Sequence, residues 1–127
     1  MSVTEMPVVE LRQYVLNPGG ADALVELFEA EFVESQEALG MAIGGLFHDR
    51  DDADRFVWMR GFSSMEARRD ALGAFYGGPV WKQHGPAANA TMIDSDDVLL
   101  LRMTDPPHVP AGPARERPPV GADRSGE

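Results

Sequence analysis

Between Val8 and Leu16 apolar and polar positions alternate: Val9, Leu11 and Val15 fall on one side, Glu10, Arg12 and Tyr14 on the other. A period of two predicts a strand with one buried face. Asn17-Pro18-Gly19-Gly20 breaks it. The period then lengthens: Leu24, Leu27, Phe28, Phe32 and Leu39 share one stripe, with Glu26, Glu29, Glu34 and Glu37 opposite. That spacing predicts an amphipathic helix from Ala21 to about Leu39, capped by Gly40. Met41 to His48 and Arg55 to Phe62 read as a second and third strand, joined by the polar hairpin Asp49–Asp54. Ser63 with Glu66 three residues later reads as a capping box, opening a helix to about Tyr76 with Met65, Leu72, Phe75 and Tyr76 inward. Gly77-Gly78-Pro79 ends it. One or two short helical turns are predicted between Pro79 and Thr91, with Pro86 at a first helical position. Asp94–Asp97 then turns the chain into a last strand, Val98 to Met103.

The order β-α-β-β-α-β is that of the α+β, ferredoxin-like split βαβ fold, a four-stranded antiparallel sheet with helices on one face. One strand parity carries Val9, Leu11, Val15, Met41, Ile43, Phe47, Val57, Met59, Leu99, Leu101 and Met103. Being almost wholly apolar, it is the side expected to meet the helices. The other parity mixes Glu10, Arg12, Tyr14, Leu46, His48, Phe56, Trp58, Arg60, Phe62, Val98, Leu100 and Arg102. It is too aromatic to face water alone, so a second sheet, in a dimeric barrel, is expected to cover it.

Composition narrows the choice of partner. The formal net charge is −10, which argues against nucleic acid and anionic membrane surfaces as partners. With no cysteine, thiolate nucleophiles and zinc–thiolate sites are excluded. No run approaches the length of a membrane span, and Met1–Glu10 lacks the pattern of a secretory signal, so a cytoplasmic location is expected. From Thr104 to Glu127 prolines recur among Gly, Ala and balanced charge, and a disordered tail is expected. The folded domain is expected over residues 7–103.

Three runs, VVELRQYVLNPGG from Val8, FVWMRGFSSMEAR from Phe56 and AFYGGPVW from Ala74, resemble the NIPSNAP family. The likeness spans Val8 to Met103. It implies membership of the dimeric α/β-barrel superfamily, a ferredoxin-like homodimer with a pocket in each subunit. It does not imply one reaction. Barrel relatives include cofactor-independent monooxygenases, isomerases, cyclases, haem enzymes and non-catalytic binders, and fold alone does not choose among them.

Three sets of residues could carry chemistry. On an ideal helix Glu31 falls inside the apolar stripe with Ser35 one turn on. A carboxylate turned into a core gains a raised pKa suited to acid/base work, with Ser35 orienting it or the ligand; the alternative is a buried Glu satisfied by an Arg or a backbone amide. His84, three residues after Trp81 and close to Tyr76, is a second acid/base candidate; the alternative is a surface or capping imidazole with Trp81 filling the core. The third set lies on the sheet: Glu10, Arg12, Tyr14, Trp58, Arg60 and Arg102, with Arg60 and Glu10 able to pair across strands. It reads as an ion-pair network at a dimer interface or as recognition of a substrate carboxylate, and Arg69 on the second helix shares that ambiguity. No metal-ligand spacing and no dinucleotide or phosphate loop occurs, so no metal and no cofactor are expected.

Together these lead to a homodimer binding a hydrophobic small molecule. The expected activity is acid/base chemistry by Glu31 and His84: isomerisation, cyclisation or cofactor-independent oxygenation. Trp58, Tyr76 and Trp81 would be walls, and Arg12 or Arg60 would hold a polar substituent. The alternative is a non-catalytic ligand-binding or interaction homodimer.

Overall fold

The structure is a computed structural model that describes residues 2–104; beyond Thr104, the expected tail lies outside the described residues. The strands are β1 (Val8–Leu16), β2 (Ala42–His48), β3 (Arg55–Phe62) and β4 (Met92–Leu101), all antiparallel in the order β2-β3-β1-β4. Helices α1 (Ala21–Leu27) and α2 (Val33–Glu37) are joined without a break by a π-helical turn, Phe28–Phe32, and α3 (Met65–Tyr76) is followed by α4 (Pro79–Asn89). This is the ferredoxin-like arrangement expected from the element order. No helix among the described residues is long and apolar enough to cross a membrane.

Several boundaries follow local chemistry that the sequence pattern left open. The α3 cap is Ser64, not Ser63: its hydroxyl accepts from the Ala67 N–H at 2.9 Å. Of the expected inward residues of α3, Phe75 is buried and Leu72 and Tyr76 pack against the core, Ala71 joins them, and Met65 is exposed. Pro79 rather than Pro86 occupies a first helical position, and α4 runs on through Pro86 as one helix. Gly40 closes α2 with φ 92°, a conformation that a side chain disfavours. β4 starts at Met92, so the acidic run expected as a turn is part of an edge strand, with register shifts opposite Gln13 to Leu16. Charged residues suit an edge, because they discourage further strand pairing.

The two sheet faces are the reverse of the expectation. Except at the start of β2, where Met41 and Ile43 face the helices as expected before a register shift at Gly44–Leu46, the mixed parity and not the aliphatic one lies under the helices. Tyr14, Leu16, Phe56, Trp58 and Phe62 are buried in one cluster with Leu24, Phe28, Phe32 and Phe75. The aliphatic side is left open at Phe47, Leu99 and Leu101, all exposed. The reason is that the polar groups of the mixed face satisfy one another. A buried charge is tolerated when it is paired and hydrogen-bonded, and Glu10 and Arg60 are. Part of the open face is covered by the chain's own start. Val3 and Met6 are buried against Ala42, with Val9 and Met59 beside them. Gly44 and Gly61 allow this approach: a Cβ on either would come within 2.7 Å of the Val3 or Met6 side chain.

Candidate functional site

The site begins with a carboxylate in the core. Glu10, at mid-β1, is 0% exposed and takes three guanidinium groups. Arg60 Nε on β3 donates at 2.8 Å, Arg68 Nε on α3 at 2.6 Å and Arg12 Nη1 on β1 at 3.1 Å. Arg60 is 1% exposed; its Nη1 donates to Gln36 Oε1 at 2.7 Å, and the Gln36 amide donates to the Phe32 carbonyl at 2.9 Å. Burial alone would raise the Glu10 pKa, but the arginines, Arg60 foremost, outweigh it and hold it below the ordinary value. Three cations on one anion leave the cluster with a positive excess. The Arg60 guanidinium also lies against two rings, 4.9 Å from the Trp58 centroid and 5.5 Å from that of Tyr76.

The π turn brings Gln36 to this network. Leu24, Phe28, Phe32 and Gln36 are four residues apart, and on a regular α-helix such a series drifts by about 40° per step, about 120° in all. One extra residue in the turn cancels most of that drift. Phe32 and Gln36 thereby take the inward places that a regular helix would give to Glu31 and Ser35. Glu31 is accordingly not buried; its side chain is 39% exposed. The Ser35 hydroxyl donates to the Glu31 main-chain carbonyl at 2.6 Å and does not engage its carboxylate. Ser35 lines a separate apolar cleft of about 280 Å³ between α2 and the α3–α4 junction.

Arg12 marks the open end of the site. Its Nε donates to the Tyr14 hydroxyl at 3.2 Å. Arg12, Tyr14, Tyr76, Trp81, Asn89, Met92 and Ser95 line a pocket of about 150 Å³. Tyr14, Tyr76, Trp81 and Met92 also line a deeper cavity of about 20 Å³, whose inner wall includes Trp58, Phe28, Phe32 and Gln36. Burial raises the Tyr14 pKa, with Arg12 opposing in part. For Arg12 burial works against the charge, but Tyr14 and Glu10 outweigh it and the pKa is raised.

The expected residues therefore divide. Arg12, Tyr14, Trp58, Tyr76 and Trp81 line the two adjoining cavities, whereas Arg60 lines neither and is bonded to Glu10 and Gln36. His84 Nε2 stands 3.4 Å from Glu31 Oε1, so the two acid/base candidates meet, but neither lines those cavities. Of the ion-pair set, Glu10, Arg12, Tyr14, Trp58 and Arg60 lie between sheet and helices, whereas Arg102 is exposed just beyond β4. Arg69 is 77% exposed and pairs with Asp70; its neighbour Arg68 is the one that reaches Glu10. Gln36 and Arg68 were not singled out from the sequence, and for Gln36 the signal would have been its four-residue spacing from Phe28 and Phe32. Among the described residues no three His, Asp or Glu side chains converge as a metal site would require.

Comparison with known proteins agrees with this architecture. The NIPSNAP family's sequence model matches residues 9–106. No curated protein matches the chain. A NIPSNAP family protein of Agrobacterium tumefaciens superposes with TM-score 0.69 at 23% identity, over 77% of this chain and 86% of its own. A NIPSNAP-like domain protein of Burkholderia xenovorans gives 0.66 at 21% identity, over 88% and 91%. A Chloroflexus aurantiacus protein provisionally described as an antibiotic biosynthesis monooxygenase gives 0.56 at 17% identity, over 83% and 96%. At these identities the likeness speaks for the fold.

Proposed function

Because the chain belongs to the NIPSNAP family, whose fold hosts several chemistries, we propose its function from the pocket itself: it binds a planar, hydrophobic organic acid between sheet and helices. The observation that carries this reading is Arg12, which presents part of an over-balanced positive cluster to a pocket walled by Tyr76 and Trp81. A guanidinium beside aromatic faces suits a ring bearing an anionic oxygen. In this reading the protein is a homodimer joined through the open aliphatic face, where Leu99, Leu101 and Phe47 are exposed. An apolar surface of that kind favours a partner over water.

The test uses 2-naphthoate as probe. Both tryptophans of the chain, Trp58 and Trp81, line the inner cavity, so intrinsic fluorescence reports on this site. Wild-type protein is expected to bind 2-naphthoate, and Arg12→Met to weaken binding roughly tenfold or more, the worth of a hydrogen-bonded charge. Equal affinity in both proteins rejects the role of Arg12.

An acid/base enzyme is the second reading, favoured by the 3.4 Å approach of His84 to Glu31. It covers isomerisation, cyclisation or cofactor-independent oxygenation at an activated carbon, a chemistry also supported by the monooxygenase-like fold neighbour. Since the pair lines neither cavity, this reading requires a ligand that extends beyond them. Once a substrate is in hand, His84→Ala and Glu31→Gln should each abolish turnover with binding retained; full activity in both rejects the pair.

A further inference from the structure

The inner cavity is lined by one buried donor that the protein leaves unused. The indole N–H of Trp58 is buried and has no hydrogen-bond partner among the described residues. Trp58 lowers the Tyr14 pKa, after burial and Arg12 among its causes, yet no hydrogen bond joins the two side chains. The Tyr14 oxygen already accepts from Arg12 Nε, which leaves the phenol O–H to donate. An indole N–H and a guanidinium can only donate. Buried donors normally have partners, and an unpaired one calls for an explanation.

Size limits what that explanation can be. The inner cavity, about 20 Å³, has room for about one water-sized group. The adjoining pocket, about 150 Å³, is where a ring fits. The two share Tyr14, Tyr76, Trp81 and Met92, so a ring held in the outer pocket can place one substituent in the inner one.

Building on the pocket reading above, we propose that the inner cavity takes a single accepting oxygen of the ligand, a ketone or enol oxygen, between the Trp58 N–H and the Tyr14 O–H. The ligand class is then a planar carbonyl compound that carries its acidic group toward Arg12 and its carbonyl inward. A methyl group would fill the same space but leave the indole N–H unpaired, which weakens binding by about tenfold. Burial keeps Tyr14 in its protonated, donating form. The competing account is that the Trp58 N–H is spent on the face of Phe28, whose ring centroid lies 4.5 Å away at an interplanar angle of 68°.

Isothermal titration with 1-tetralone and with tetralin, its counterpart lacking the oxygen, separates the two accounts. Wild-type protein is expected to bind the ketone at least tenfold more tightly. Trp58→Phe and Tyr14→Phe should each bring the ratio toward one while retaining tetralin binding; Tyr14→Phe, the milder change, carries the test should Trp58→Phe not fold. A wild-type ratio near one, or a ratio unchanged in the folded variants, overturns the proposal and leaves the pocket reading intact. Failure of wild-type protein to bind 2-naphthoate removes the pocket reading and this inference together, and failure to bind 1-tetralone where 2-naphthoate binds overturns this inference alone.

Discussion

Replacing Glu10 by Gln tests the network on which the site is built. The change keeps the side chain's shape and removes the charge that three arginines approach at 2.6, 2.8 and 3.1 Å. Arg68 and Arg12 are partly exposed and can recover solvation. Arg60 cannot, being 1% exposed with only Gln36 and two rings left beside it. Removing one partner of a buried pair costs about 3–5 kcal/mol. With a urea dependence of about 1–3 kcal/mol per molar for a small protein, the midpoint should fall by one molar or more. Circular dichroism at matched protein concentration is the assay. The pH dependence has a definite sign. Because the folded pKa of Glu10 is depressed, its contribution is complete above the unfolded value of about 4.3 and disappears as pH falls through the folded value. Glu10→Gln should therefore flatten the stability–pH curve on the acid side of about 4.3. A variant within about 1 kcal/mol of wild type, with the acid slope unchanged, would refute the claim that this carboxylate holds the arginines in place.

Other tests follow from single features. Deleting the exposed Ala30 should convert the π turn to regular helix without moving Phe32 and Gln36 off the inward face; the deletion protein should keep its far-UV spectrum, and an unfolded product would contradict the phase argument. Of the two tyrosines, Tyr14 should titrate above the usual value of about 10 in an absorbance titration at alkaline pH, and Tyr14→Phe should remove that late component. Its stabilising effect is complete below the unfolded pKa and is lost as pH rises toward the folded one. Gly61→Val should displace Met6 from the sheet, expose the start of the chain to proteolysis and lower stability by about 1–3 kcal/mol; unchanged protease resistance counts against that packing. Leu99→Asp should yield a lone subunit in sedimentation where wild type gives a dimer; a variant that stays dimeric rules out the aliphatic face as the joint, and a wild type that sediments alone sinks the homodimer.

The fold was legible because its punctuation is chemical. Alternation in Val8–Leu16 and Arg55–Phe62, the Asn17–Gly20 break and the Gly40 cap each leave few alternatives. The orientation of the sheet was not legible. Both parities carry enough apolar side chains to form a core, and what decides is whether Glu10, Arg12 and Arg60 find partners, a three-dimensional property. Gln36 and Arg68, which complete those partnerships, lie on helices and far off in sequence. Glu31 was misplaced for a related reason: a projection at constant pitch cannot include a π turn, whose single extra residue moves the inward stripe by one position. The site was legible as a set of residue types, Arg12, Tyr14, Trp58, Tyr76 and Trp81, because ring-rich strands and an α3–α4 junction dense in aromatics stand out. Which of them face a cavity depended on the same two unseen features.

A crystal structure of the protein grown with 2-naphthoate is the most direct measurement. The account predicts the carboxylate on the Arg12 guanidinium, with the ring against Tyr76 and Trp81 on the helix side of the sheet. Density for the compound on the aliphatic side, or an Arg12 pocket that stays free of it at millimolar concentration, would contradict it.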